Sequence, residues 1–265
     1  MIIDFHTHAF ADSIAEKAIS KLCETAESES CTDGTVQGLK KKMEERGIDY
    51  GVLLPIATKP SQQRTINDWA ASENKDCLIS YGTVYPGAPD IAEELDRIKE
   101  LGLKGLKLHP DYQNAFLFEE KMRPIYKRCG ELGLPIIIHM GYDPVEPVLR
   151  HAMPAHLPEI MDSFPDLKVI AAHFGGMCAW EEVYHYIAGH KRIWLDTAYT
   201  AGYLSPESMS GIIKKHGAER VLFASDCPWH DPIEEIRLID SLPVSDKEKD
   251  MIFYQNAAEF LGINV

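Results

Sequence analysis

Two imidazoles stand two residues apart at the end of the first apolar run, Met1-Ile2-Ile3-Asp4-Phe5-His6-Thr7-His8. Successive side chains of a strand point to opposite faces, so Asp4, His6 and His8 share one side, and two histidines at a strand mouth can chelate one metal ion. By itself the stretch reads equally well as two partly buried polar residues on an edge strand. Later apolar runs tip the balance, because they close on further ligand types: residues 103–109 on Lys107 and His109, 135–139 on His139, 167–173 on His173 and 220–226 on Asp226. Five of the 11 histidines thus close such a run, more than scatter would place there. Histidine and aspartate without cysteine form a borderline donor set that suits Zn²⁺, with Mn²⁺, Fe²⁺ and Co²⁺ as alternatives. An ion so held with an open position lowers the pKa of its water from 15.7 to about 7, which supplies hydroxide at neutral pH.

These side chains need a scaffold that brings strand ends together. Eight short runs rich in Ile, Val and Leu recur along the chain, at residues 2–8, 50–56, 78–85, 103–109, 135–139, 167–173, 192–196 and 220–226. Each is too short for a helix and suits a strand buried on both faces of a parallel sheet. Charged stretches with helical spacing lie between them. Leu95, Ile98 and Leu101 make one apolar stripe behind a capping start at Asp90 and Glu93, and Ser205-Pro206 is an N-cap with proline at the first helical position. Gly47, Gly102, Gly133, Gly189 and Gly217 each precede a run by a few residues, as glycine does where a helix ends in the left-handed conformation. An extra helix is expected from Ser13 to Glu27, followed by a polar loop at residues 27–34 that is either a lid or a plain turn, and residues 143–158 form a long loop after the fifth strand. Eight such units in 265 residues point to a single domain, residues 1–265, folded as an α/β (β/α)₈ TIM barrel, with its active site at the C-terminal ends of the strands. A doubly wound open sheet is the structural rival, but no glycine-rich phosphate fingerprint follows an early strand.

With 27 Lys plus Arg against 41 Asp plus Glu, the net charge of −14 argues against binding nucleic acid or an anionic membrane surface. No apolar run approaches the ~20 residues of a membrane span. Six cysteines without a C-x-x-C pair fit a reducing compartment, and no signal peptide is visible, so a cytoplasmic location is expected. Composition leaves a homo-oligomer open.

Four of these stretches carry a resemblance. Asp4-Phe5-His6-Thr7-His8, Pro135-Ile136-Ile137-Ile138-His139, Ala172-His173-Phe174-Gly175-Gly176 and Leu222-Phe223-Ala224-Ser225-Asp226-Cys227-Pro228-Trp229 resemble the signatures of the amidohydrolase superfamily. They are most similar to its amidohydrolase-related branch, which contains metal-dependent hydrolases and enzymes like aminocarboxymuconate semialdehyde decarboxylase. The closing residues 256–262 resemble that family's last helix. The resemblance implies that His6, His8, His139 and Asp226 hold one divalent metal ion, that Asp226 accepts a proton from the attacking water, and that His173 polarises or protonates the substrate. The bland readings are satisfied core histidines at His139 and His173, and a helix N-cap at Asp226. Lys107 is read as an inward cation for a substrate carboxylate, the alternative being a carbamylated bridge between two metals. His109, Trp229 and His230 are read as substrate contacts, and Asp196 as a supporting partner or a cap.

On this basis the leading expectation is a metal-dependent hydrolase that turns activated water on an amide, lactone or similar carbonyl of a small molecule. The alternative is a metal-dependent non-oxidative decarboxylase of a small unsaturated or aromatic carboxylate, since one constellation serves both. A TatD-like nuclease would place a bridging glutamate where this chain has Lys107 and His109. A barrel keeping a purely structural metal is disfavoured by a ligand set around an open mouth.

Overall fold

The computed structural model describes residues 1–264. Its strands are β1 (Ile3–Thr7), β2 (Tyr50–Leu53), β3 (Leu78–Ser80), β4 (Gly82–Thr83), β5 (Leu106–Leu108), β6 (Ile136–Ile138), β7 (Val169–Ala171), β8 (Ile193–Asp196) and β9 (Val221–Leu222). β3 and β4 are the halves of one run broken at Tyr81, so the nine pieces make the eight staves expected. Every pairing is parallel, in the orders β1-β2-β3 and β4 to β9. Backbone hydrogen bonds close the cylinder: Phe5 N to Phe223 O at 2.8 Å and Asp226 N to His6 O at 2.9 Å on one seam, Tyr81 N to Leu53 O at 3.0 Å on the other. The fold is a (β/α)₈ barrel.

Strand alternation decides which side chains enter the barrel. Leu106, Leu108, Ile136, Ile138, Val169 and Ala171 pack outward in the layer shared with the helices, whereas Ile137 and Ile170 belong to the inner cluster. Lys107 pairs in register with Ile137 and therefore points inward as well. The inner cluster is plugged by Ala257, Ala258 and Leu261 of the helix Asn256–Leu261, beside Ile3 and Phe5. The other end is left to polar residues.

The extra helix, α1 (Asp12–Ala26), and α2 (Val36–Arg46) lie between β1 and β2, and α3 (Gln63–Glu73) and α4 (Ile91–Glu100) follow β2 and β4. All five glycines expected to end helices have positive φ. Ser205 caps its helix by accepting from Ser208 N. Asp90 makes no such cap; its carboxylate instead accepts from Gln63 Nε2 at 2.8 Å, a tertiary bond that outweighs the local one. The loop at 27–34 is tied down, with Cys31 N donating to Pro228 O at 2.8 Å.

Gly141, two residues beyond His139, has φ +88°, and a Cβ there would meet Met177 N at 2.3 Å and Met177 O at 2.4 Å. Backbone cannot retreat as a side-chain tip can. Gly141→Ala is therefore expected to destabilise by about 2–4 kcal/mol, from overpacking plus left-handed strain, read as a lower urea midpoint at unchanged slope.

Candidate metal centre and active site

His6, His8 and Asp226 converge at the mouth of the barrel. His6 Nδ1 donates to the buried carboxylate of Asp196 at 2.8 Å, and His8 Nδ1 donates to Leu54 O at 2.7 Å, which leaves both Nε2 atoms as lone pairs facing inward. Those two atoms are 3.2 Å apart and stand 3.3 and 3.2 Å from Asp226 Oδ1. Three acceptors in such a triangle repel one another unless a cation lies among them. Donors at 2.0–2.2 Å from one ion, at octahedral to tetrahedral angles, are separated by about 2.9–3.5 Å, so the trio fits a divalent metal. Burial, then the neighbouring Lys107, pushes the His6 pKa well down, which keeps it in the neutral, ligating form. Asp226 stays below the ordinary carboxylate pKa although burial opposes its ionisation, because His8 and His173 favour the anion.

Asp196 holds His6 in the tautomer a metal requires. Asp196→Asn is expected to weaken metal affinity about 10–100-fold with little change in fold, measured by competition against a chromophoric chelator.

Lys107 points into the same space, its Nζ 2.9 Å from His6 Nε2, a lone pair that an ion at the triangle would take over, leaving the ammonium free to turn to another acceptor. It is 1% exposed, and among the described residues no carboxylate lies within 4.0 Å of it. Burial lowers its pKa to about 8, against the pull of Asp226, Asp196 and Asp143. At neutral pH it is a buried cation without a counterion in contact.

His139 lies outside the trio. Its Nδ1 is 2.9 Å from His173 Nε2, while its buried Nε2 has no hydrogen-bond partner and lies 3.8 Å from both Asp111 and Asp143. The structure thus brings three of the four expected ligands together and sets His139 one imidazole further away. His173 reaches the mouth by a route that strand alternation did not foresee. Ala172 is the inward residue, and a left-handed backbone at His173, φ 57°, swings the next side chain round. His173 Nδ1 donates to Ala198 O at 3.0 Å, which turns Nε2 to the mouth, where it meets His139 Nδ1. Asp226 is also left-handed, at φ 68°, and strain at two adjoining polar residues is typical of functional sites.

His109, His139 and Asp143 form a second cluster of donor types. The two imidazoles are stacked, with centroids 4.0 Å apart and planes 13° from parallel, and Tyr112 stacks on the outer face of His109. Lone pairs in parallel rings do not converge, so this geometry does not bind one ion between them. His109 Nε2 instead approaches Asp143 at 3.4 Å.

A cavity of about 650 Å³ stands over these residues, lined at its floor by His6, His8, Lys107, His109, His139, His173 and Asp226, and beside them by Trp229. His230 is not part of it. Its Nδ1 pairs with the buried Glu235 at 3.1 Å, which turns the ring aside. Asp143, Tyr112 and Trp69 also line the cavity and escaped the sequence reading. For Asp143 a signal existed, since it stands four residues after His139 at the same strand mouth. Trp69 lies on α3, where an apolar residue reads as core.

The profile of the amidohydrolase family matches residues 3–263. The chain belongs to that family. A Dictyostelium discoideum protein described as 2-amino-3-carboxymuconate-6-semialdehyde decarboxylase is 25% identical over 246 residues, a match covering 75% of this chain and 66% of that protein's length. Two solved structures share the fold over nearly the whole amidohydrolase chain. One is 2,6-dihydroxybenzoate decarboxylase from Rhizobium, with a TM-score of 0.75 at 16% identity, covering 99% of this chain and 98% of that one. The other is 5-carboxyvanillate decarboxylase from Novosphingobium aromaticivorans with manganese and 4-hydroxy-3-methoxy-5-nitrobenzoic acid, with a TM-score of 0.75 at 18% identity, covering 99% and 96%. These relatives overturn the leading expectation from sequence. The motifs are common to hydrolases and decarboxylases, and these three similar proteins are described as decarboxylases, so the hydrolytic reading gives way to its alternative. Among the described residues no helix is long and apolar enough to cross a membrane.

Proposed function

We propose that this amidohydrolase-family enzyme is a metal-dependent, non-oxidative decarboxylase of a small unsaturated or aromatic carboxylate. The observation that carries the reading is the pairing of a triangle of metal donors with a buried ammonium, Lys107, that has no carboxylate partner of its own. A neutral amide or lactone gains little from such a cation. A carboxylate supplies the missing charge.

The ion, held by His6, His8 and Asp226 with His139 close by, would bind and polarise the substrate's oxygens when present. Zn²⁺, expected from the donor set, and Mn²⁺, named with a structural neighbour, both suit these donors. Lys107 orients the carboxylate by a charge-assisted hydrogen bond. The C–C bond to that carboxylate breaks, its electron pair stays on the ring or alkene carbon, and CO₂ leaves. That carbon then takes a proton from Nε2 of a His173 protonated on both nitrogens, its Nδ1–H held by Ala198 O and the ring returning to the neutral form as the C–H bond is made. Apolar residues that also line the cavity, Leu54, Ile66 and Trp69 among them, lower the polarity around the carboxylate and favour loss of its localised charge. The rest of the reading is one catalytic domain over residues 1–265, a cytoplasmic location suggested by six free cysteines, and a small-molecule substrate with a homo-oligomer left open.

The test is to strip the protein with a chelator, reload it with Mn²⁺ or Zn²⁺, and measure CO₂ release from dihydroxybenzoates, carboxylated phenols and unsaturated diacids, beside amide and lactone cleavage. Release is expected only from the loaded protein, without hydrolysis. Amide or lactone cleavage with no CO₂ from any of the acids would sink the proposal.

A further inference from the structure

The cavity has a second part that the chemistry at its floor does not use. α1 is 15 residues long yet buries only Ala15, and Ile14 on it is 53% exposed. Its apolar residues are not wasted on solvent. Ile14, Ala18 and Leu22 recur at helical spacing along the face that lines the cavity, and Ile66 and Trp69 of α3 also line it. A volume of about 650 Å³ is that of a pocket for a multi-ring or long-chain ligand, and a single-ring acid would leave much of it as exposed apolar wall.

Lys17 and Lys21 line the same cavity from α1, four residues apart and so on one helix face. Among the described residues neither forms an ion pair, unlike Lys40, Lys41 and Lys42 on α2. In a chain of net charge −14, an anion is repelled by the surface as a whole. The cations lining the cavity are Lys17 and Lys21 on the helix wall and Lys107 on the floor.

We infer that the substrate is an elongated, largely apolar acid carrying a second anionic group at its far end, its body lying along α1 and its distal charge held by Lys17 and Lys21. This rests on the cavity being the substrate site of the decarboxylase proposed above, and it adds length, apolarity and a second charge to the carboxylate held at Lys107. The floor fixes the reacting end, and the helix selects for the rest.

Isothermal titration of the manganese-loaded protein with benzoate, biphenyl-4-carboxylate and biphenyl-4,4′-dicarboxylate tests this without any turnover. Affinity is expected to rise along the series, the dicarboxylate binding about tenfold more tightly than the monocarboxylate at low ionic strength and losing that advantage as salt is added. In the double variant Lys17→Gln/Lys21→Gln the two biphenyl acids should bind alike, while the gain from benzoate to biphenyl remains. Ile14→Gln should reduce that gain and leave benzoate unaffected. A dicarboxylate no tighter than the monocarboxylate, a preference that survives in the double variant, or no binding of either biphenyl acid would overturn the inference. CO₂ release from small aromatic acids by a protein that fails this titration would remove the inference and leave the decarboxylase reading standing. Tight, lysine-dependent binding without CO₂ release from any acid would do the reverse.

Discussion

Asp226→Asn is expected to lose the divalent ion and to lower CO₂ release by about 10³-fold or more, while the fold survives. Asp226 Oδ1 is one corner of the three-donor triangle, 3.2 and 3.3 Å from the two imidazole nitrogens, and an amide oxygen in its place carries no charge to hold a cation against burial. The choice of asparagine matters because Asp226 sits at φ 68°, a conformation that asparagine tolerates far better than alanine. Asp226→Ala would mix lost ligation with added backbone strain. The readouts are metal per chain by atomic absorption, initial rate of CO₂ release, and thermal melting with and without added Mn²⁺. Loaded wild type should melt higher than stripped wild type, because an ion that binds only the folded chain stabilises it, and the variant should show no such rise. A variant that keeps a full equivalent of metal and wild-type activity would show that the triangle does not hold the catalytic ion.

The barrel was legible because its signals are local and repeated. Eight apolar runs, each followed by a charged helical stretch, admit few topologies, and the eight staves stand at those runs. The position of Lys107 was equally open to reading, since alternation along a regular strand turns it inward beside Ile137. His173 was named for the right place by the wrong reasoning, because its direction comes from a left-handed backbone that no single-sequence pattern reveals. His230 looked like a pocket residue beside Trp229, but Glu235, buried on the next helix, captures its ring. The role of α1 was hidden for a different reason. Ile14, Ala18 and Leu22 have the spacing of an ordinary core face, and only the structure shows that the face looks across open space. The choice between hydrolysis and decarboxylation was out of reach from motifs, because the same donors serve both reactions.

Lys107→Met is expected to lower kcat/KM for an anionic substrate by about 10²–10³-fold, the cost of leaving a buried carboxylate without its ionic partner. Methionine keeps the flexibility and most of the length of the side chain, one heavy atom short, and removes the charge with its N–H donors. The fold should not suffer. Burial lowers the lysine pKa from 10.5 to about 8, so in the folded chain the charged form is disfavoured relative to the unfolded chain. That cost is fully present below pH 8 and disappears above pH 10.5, so any stability gained by the methionine variant should be larger at pH 7 than at pH 10.5. Activity carries a matching signature. The ammonium is lost as pH rises, and a divalent ion on His6 would lower its pKa further, so wild-type kcat/KM for an anionic acid should fall on the alkaline side and the variant should lack that fall. Metal content separates this role from the other one open to a lysine on this strand. A carbamylated Lys107 bridging two ions would cost the variant metal, whereas a substrate-binding ammonium predicts one equivalent before and after the substitution. Loss of activity with retained metal and equal or greater stability places the lysine on the substrate, and loss of metal would move it into the coordination of the ion.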